Sequence, residues 1–125
     1  MRTRFLTALF LLCAAAVPLA ADARSDAKKQ VEFGIAVAQR GLWREAIYRW
    51  ERAAQIDPKY AEALNNLAIA YEHEGELDKA RVAYEKALEL EPNNALIKQN
   101  YELFKEINDR TIRKDSQDAP EPDTQ

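Results

Sequence analysis

Over residues 61–94 the apolar positions recur with a helical period. Leu64, Leu67, Ala68 and Tyr71 stand at i, i+3, i+4 and i+7, which places them on one face of a helix. Glu74-Gly75 ends the pattern, since Gly enters the left-handed cap conformation without a Cβ penalty. A second periodic run, Leu77, Ala80, Tyr84, Ala87 and Leu88, continues to Pro92, which has no N–H to carry the ladder on. The pattern predicts helices over about 60–74 and 76–91, joined by a tight turn into a helical hairpin. Ala68 and Ala80 are the small residues that let the two axes approach.

Shifting the chain by 34 residues reproduces the arrangement. Leu67 becomes Phe33, Ala68 becomes Gly34, Tyr71 becomes Val37 and Gly75 becomes Gly41. Ala80 becomes Ala46, Tyr84 becomes Trp50, Ala87 becomes Ala53 and Pro92 becomes Pro58. A fixed period of this length marks a stacked repeat array. It predicts a first hairpin with helices over about 26–40 and 42–56. Phe33, Gly34, Val37, Trp43, Ala46, Ile47, Trp50 and Ala53 point inward, and Tyr48 lies outside. A fifth helix is predicted over about 94–112. Leu96, Ile97, Tyr101, Leu103, Phe104 and Ile107 share one broad apolar face on it. Glu102 stands where Gly34 and Ala68 stand, and Lys114 where Ala46 and Ala80 stand. No further hairpin partner could approach closely there, so this helix reads as the terminal cap that repeat arrays require.

These positions resemble the tetratricopeptide repeat family. Leu64, Leu67, Ala68, Tyr71, Ala80, Tyr84, Ala87 and Pro92 fill its pattern, and the first copy departs from it at Gln30. The resemblance implies an all-α fold of stacked αα-hairpins in a right-handed superhelix. Two repeats, 27–60 and 61–94, are followed by a C-terminal capping helix, 95–112. It also implies a concave groove that holds peptides, lined by the first helix of each hairpin. On this chain the groove would carry Lys28, Val31, Ile35, Gln39, Glu62, Asn65, Ile69, Glu72 and His73, continued by Gln99 and Leu103. Val31 and Ile35 lie off the Phe33–Gly34–Val37 stripe, and Ile69 off the Leu64–Leu67–Tyr71 stripe. Apolar residues on a face that hairpin packing does not need imply contact with something else; a neighbouring helix of the stack is the alternative cover. The expectation is therefore a protein or peptide partner held by Val31, Ile35 and Ile69. Asn65 would bond the partner's backbone, and Glu72 and Gln99 would complete the surface. Self-association through the capping helix is the second reading.

The ends of the chain differ from this array. Met1-Arg2-Thr3-Arg4 is basic, residues 5–17 are mostly apolar, and Ala21-Asp22-Ala23 is a small-x-small site. Together these have the three parts of a secretory signal peptide. They predict removal of residues 1–23 and a periplasmic or secreted protein beginning at Arg24, an uncleaved anchor being the alternative. The apolar run is shorter than the ~20 residues that a membrane span needs. Residues 113–125 are acidic, proline-containing and aperiodic, and are predicted to be disordered.

Composition excludes several classes of chemistry. Lys and Arg number 18 against 21 Asp and Glu, a net charge of −3, so there is no basic surplus to hold nucleic acid. The single Cys, Cys13, lies in the predicted signal, and the single His is His73. Neither has companions at metal-ligand spacing, and no metal or cofactor is expected. The three glycines are isolated, which rules out a phosphate-cradling loop, and no serine stands between Ser25 and Ser116. No catalytic constellation is present, and the sequence reads as a non-enzyme.

Overall fold

The computed structural model describes residues 17–117. Five helices run through them: α1 Val17–Ala38, α2 Trp43–Ile56, α3 Ala61–His73, α4 Leu77–Leu90 and α5 Ala95–Gln117. Helices α1 and α2 form one antiparallel hairpin and α3 and α4 a second; α3 packs on α2, and α5 packs on α4 and α3. The fold is all-α, two stacked hairpins followed by a single helix.

The turns follow from glycine chemistry. Gly41 and Gly75, 34 residues apart, have φ of 78° and 76°. Each lets the chain reverse so that the second residue beyond the helix bonds back across the last turn. The Leu42 N–H donates to the Val37 carbonyl at 3.0 Å and the Glu76 N–H to the Tyr71 carbonyl at 2.8 Å, the six-to-one bond of a Schellman cap. Asp57 closes the first hairpin: its Oδ1 accepts the Lys59 N–H at 3.0 Å. Asn94 opens α5 as an N-cap, its Oδ1 accepting the N–H groups of Leu96 and Ile97 at 3.1 and 3.2 Å.

Small residues set the helix spacing. Ala46, Ala53, Ala68, Ala80 and Ala87 are fully buried, and the aromatic rings of Trp50, Tyr71, Tyr84 and Phe104 fill the space between. Trp50 satisfies its indole N–H by donating to the Val31 carbonyl at 3.1 Å. That bond sets the Trp50 ring against Gly34, where a Cβ would meet the indole at 2.7–2.8 Å.

Four expectations are corrected. Phe33 is 47% exposed rather than inward, with the Arg49 guanidinium 4.2 Å from its ring centroid. Its equivalent Leu67 is buried because the first hairpin precedes α3, whereas no described helix precedes α1. Leu77, expected on the packing face of α4, is also exposed; it is the first residue of that helix. Helix α1 begins at Val17, within the predicted signal, and ends at Ala38. Helix α5 continues to Gln117, so 113–117 are helical rather than disordered. Arg110, Arg113 and Lys114 favour the negative end of the helix dipole, and the first proline beyond is Pro120. The basic and apolar parts of the predicted signal, residues 1–16, and the end of the predicted tail, 118–125, lie outside the described residues. Among the described residues no helix is long and apolar enough to cross a membrane.

Candidate partner-binding groove

Position 35 on α1 and position 69 on α3 are equivalent in the 34-residue period, and both isoleucines stand in solvent, 38% and 37% exposed. They share a cavity of about 320 Å³ with Ala38, Gln39, Trp43, Trp50 and Asn66. No charged side chain lines it. Two tryptophans and two isoleucines give it apolar walls, and Gln39 and Asn66 add carboxamides able to donate and accept. Trp43 also stacks on His73, ring centroids 4.1 Å apart and planes 21° from parallel. His73, expected as a lone solvated edge residue, is thus half-exposed and roofed by an indole. The Glu74 carboxylate lies 3.9 Å from its Nδ1 and 3.8 Å from Arg44 Nε.

Leu103 stands 34 residues beyond Ile69 and is exposed on α5, as are Leu96 and Ile107. At 3.6 residues per turn these three fall within a sector of about 40°. The expected broad apolar face of α5 is therefore two stripes. Ile97 and Phe104, with Asn108, are buried, Phe104 lying against the Tyr84 and Tyr101 rings. The Leu96–Leu103–Ile107 stripe is open. Facing α4's missing counterpart are Lys98, Glu102 and Lys105, the last two paired at 2.8 Å; a charged face there fits the end of a stack.

The six expected site residues divide. Ile35 and Ile69 come together on the cavity. Val31, expected on the open face, is 1% exposed and belongs to the main core. Asn65, expected to bond a partner's backbone, is 5% exposed; its Oδ1 accepts from Asn100 Nδ2 at 3.1 Å, which ties α3 to α5. Glu72 is partly buried and accepts the Tyr84 hydroxyl. Gln99 is exposed. Positions 31, 65 and 99 are equivalent in the repeat. The first two are covered within the stack, while no described helix follows α5 to cover the third. Trp43, Gln39 and Asn66 were the residues that the reading did not place in the site. Asn66 and Gln39 were legible as polar residues one helical turn from Ile69 and Ile35; the Trp43–His73 stack joins two hairpins and left no local signal.

Four tyrosines bond carboxylates, three of them between successive helices. Tyr71 donates to Glu51 at 2.7 Å, Tyr84 to Glu72, Tyr101 to Glu85 at 2.8 Å and Tyr60 to Glu62 at 2.8 Å. Burial, then the carboxylate bond, pushes the Tyr60 hydroxyl up to about 12. The same causes raise Tyr71, Tyr84 and Tyr101 above the ordinary tyrosine value. Among the described residues no three His, Cys, Asp or Glu side chains converge as metal ligands.

Comparison with known proteins agrees with this architecture. Residues 61–94 match the family model described as tetratricopeptide repeat, and residues 34–75 one described as TPR repeat. A 45-residue stretch is 51% identical to the uncharacterized protein ycf37 of Pyropia yezoensis, covering 36% of this chain and 25% of that protein. Over 89 residues the chain is 33% identical to the type IV pilus assembly protein PilF of Pseudomonas aeruginosa, covering 70% and 35%. Over 83 residues it is 29% identical to the photosystem I assembly protein Ycf3 of Rippkaea orientalis, covering 55% and 48%. The chain thus spans between a quarter and a half of these relatives' lengths.

Proposed function

We propose that this chain, built on tetratricopeptide repeats, is an exported, non-enzymatic interaction module that holds an apolar segment of a protein partner. One observation carries the reading: Ile35 and Ile69 stand in solvent side by side on an uncharged cavity walled by two tryptophans. The partner's anchor is a bulky apolar side chain, because a charged one would lose its hydration there without a counter-ion. Gln39 and Asn66 serve the main chain beside that anchor, and Leu103 extends the apolar row onto α5. Two relatives carry "assembly" in their names, which favours a role in bringing components of a larger structure together. Export rests on the basic start, apolar run and small-x-small site of residues 1–23.

Crosslinking in intact cells, followed by identification of the bound protein, supplies the binding assay. Ile35→Glu with Ile69→Glu should abolish binding while the helical circular dichroism stays unchanged, because both side chains are already in solvent. Binding that survives the double substitution overturns the groove. The intact mass of the protein from its host should correspond to a chain starting at Arg24; retention of Met1 overturns the export reading.

The open Leu96–Leu103–Ile107 stripe favours self-association as a second reading. Leu103→Glu then lowers the mass measured by light scattering; a wild-type monomer at working concentration removes this reading. Phe104, which the sequence placed on the same face, cannot serve this test because it is core.

A further inference from the structure

Arg24, the residue at which the predicted mature chain begins, is the most tightly held residue at the start of α1. Its Nε pairs with the Asp57 carboxylate, and its Nη2 donates to the Lys59 carbonyl at 3.3 Å. Its guanidinium lies 4.6 Å from the Tyr60 ring centroid. Three successive parts of the hairpin junction therefore grip one side chain. Ala23 is half-buried beside the same junction, sharing a cavity with Arg24, Asp57, Pro58 and Lys59. The bond between Ala23 and Arg24 lies inside a continuous helix that begins at Val17.

We propose that the Ala23–Arg24 bond is a folding-gated cleavage site, open to a signal peptidase while the chain is unfolded and closed once the hairpins have stacked. This rests on the export reading and adds an order of events to it. Peptide-binding clefts of this kind take their substrate as an extended strand, through main-chain hydrogen bonds. In the folded chain those groups are engaged in α1. Extending three residues on each side of the bond unwinds α1 as far as Asp26, which removes Arg24 from Asp57, Lys59 and Tyr60. The next residue, Ala27, is fully buried, so further unwinding opens the core. The cut itself costs the fold little. The first core residue among those described lies on the retained side, and Arg24, also retained, anchors the new terminus at the junction.

The test uses the full-length chain and a purified signal peptidase in detergent, with intact mass as the readout. Three forms are compared. They are the folded wild type, Asp57→Ala, and an Ala46→Glu/Ala80→Glu chain shown to be unfolded by circular dichroism. The unfolded chain should be cut between Ala23 and Arg24, and the folded wild type at least ~10-fold more slowly, since cutting waits on local opening. Asp57→Ala leaves the sequence around the bond intact and should speed cutting of the folded chain several-fold with little change in Tm. Equal rates for folded and unfolded chains overturn the gate and leave the export reading standing. An unfolded chain that is not cut there overturns both. An Asp57→Ala chain as resistant as wild type removes the Arg24 grip from the proposal.

Discussion

A Cβ built on Gly34 would meet the Trp50 indole, with Cε2 at 2.7 Å. The ring is not free to retreat, because its N–H is committed to the Val31 carbonyl. Gly34→Ala should therefore cost about 1–3 kcal/mol as overpacking, although Ala is the better helix former by about 1 kcal/mol. A lower urea midpoint at unchanged m-value checks it, and a stabilised variant would mean that the Trp50 ring moves. Gly41→Ala should cost about 1–2 kcal/mol for a different reason. Nothing crowds that Cβ, but φ is +78°, a left-handed conformation that L-residues adopt only with strain. Ala80→Leu belongs with the first case: Ala80 and Ala68 are both fully buried, and added methylenes at that approach should cost about 1–3 kcal/mol.

At the scale of the element, α5 separates adjacent residues by role. Phe104 is 2% exposed and Leu103 is 54% exposed, though the two are neighbours in an apolar run. Phe104→Ala should destabilise by about 3–5 kcal/mol, the range for an aromatic core residue. Leu103→Ala should change stability by no more than ~0.5 kcal/mol while weakening partner binding. Paired urea denaturation curves check this; equal losses would mean that α5 is rotated against α4. The two loops at the ends of the second helices also behave as elements. Asp57 and Asn94 each use a side-chain oxygen to cap main-chain N–H groups, so the 34-residue repeat extends from packing residues to turn chemistry.

For the whole molecule, hydroxyl-to-carboxylate bonds stitch the stack in sequence: α2 to α3 through Glu51–Tyr71, α3 to α4 through Glu72–Tyr84, and α4 to α5 through Glu85–Tyr101. Burial raises the tyrosines and the adjacent carboxylates raise them further. The folded chain therefore keeps these protons at pH values where the unfolded chain, titrating near 10, has released them. By linkage, stability is present in full below pH 10 and falls as pH rises through about 12, where Tyr60 titrates. Melting temperatures between pH 9 and 12 should fall steeply, and Tyr84→Phe should flatten that fall. At neutral pH Tyr84→Phe should cost about 1–3 kcal/mol, because the partly buried Glu72 loses its donor. A wild-type Tm that is flat across this range would mean that the stitches do not form.

The sequence by itself determined the helices, their turns and their stacking order. Helical periodicity is a local property, and Gly41, Gly75, Pro58 and Pro92 punctuate it through backbone sterics alone. The 34-residue match also placed Ile35 and Ile69 on one surface, since equivalent positions in a stack stand side by side. What periodicity does not encode is which neighbour covers a face. Phe33 and Leu67 have the same local pattern and opposite fates, because only Leu67 has a hairpin before it. Val31, Asn65 and Gln99 differ in the same way at the other side of each helix. The tertiary structure alone decided that Val31 and Asn65 are interior and that Glu72 holds Tyr84. It also decided that the apolar run on α5 divides between core and open stripe. Burial depends on elements distant in the chain, and a side chain's local spacing carries no record of them.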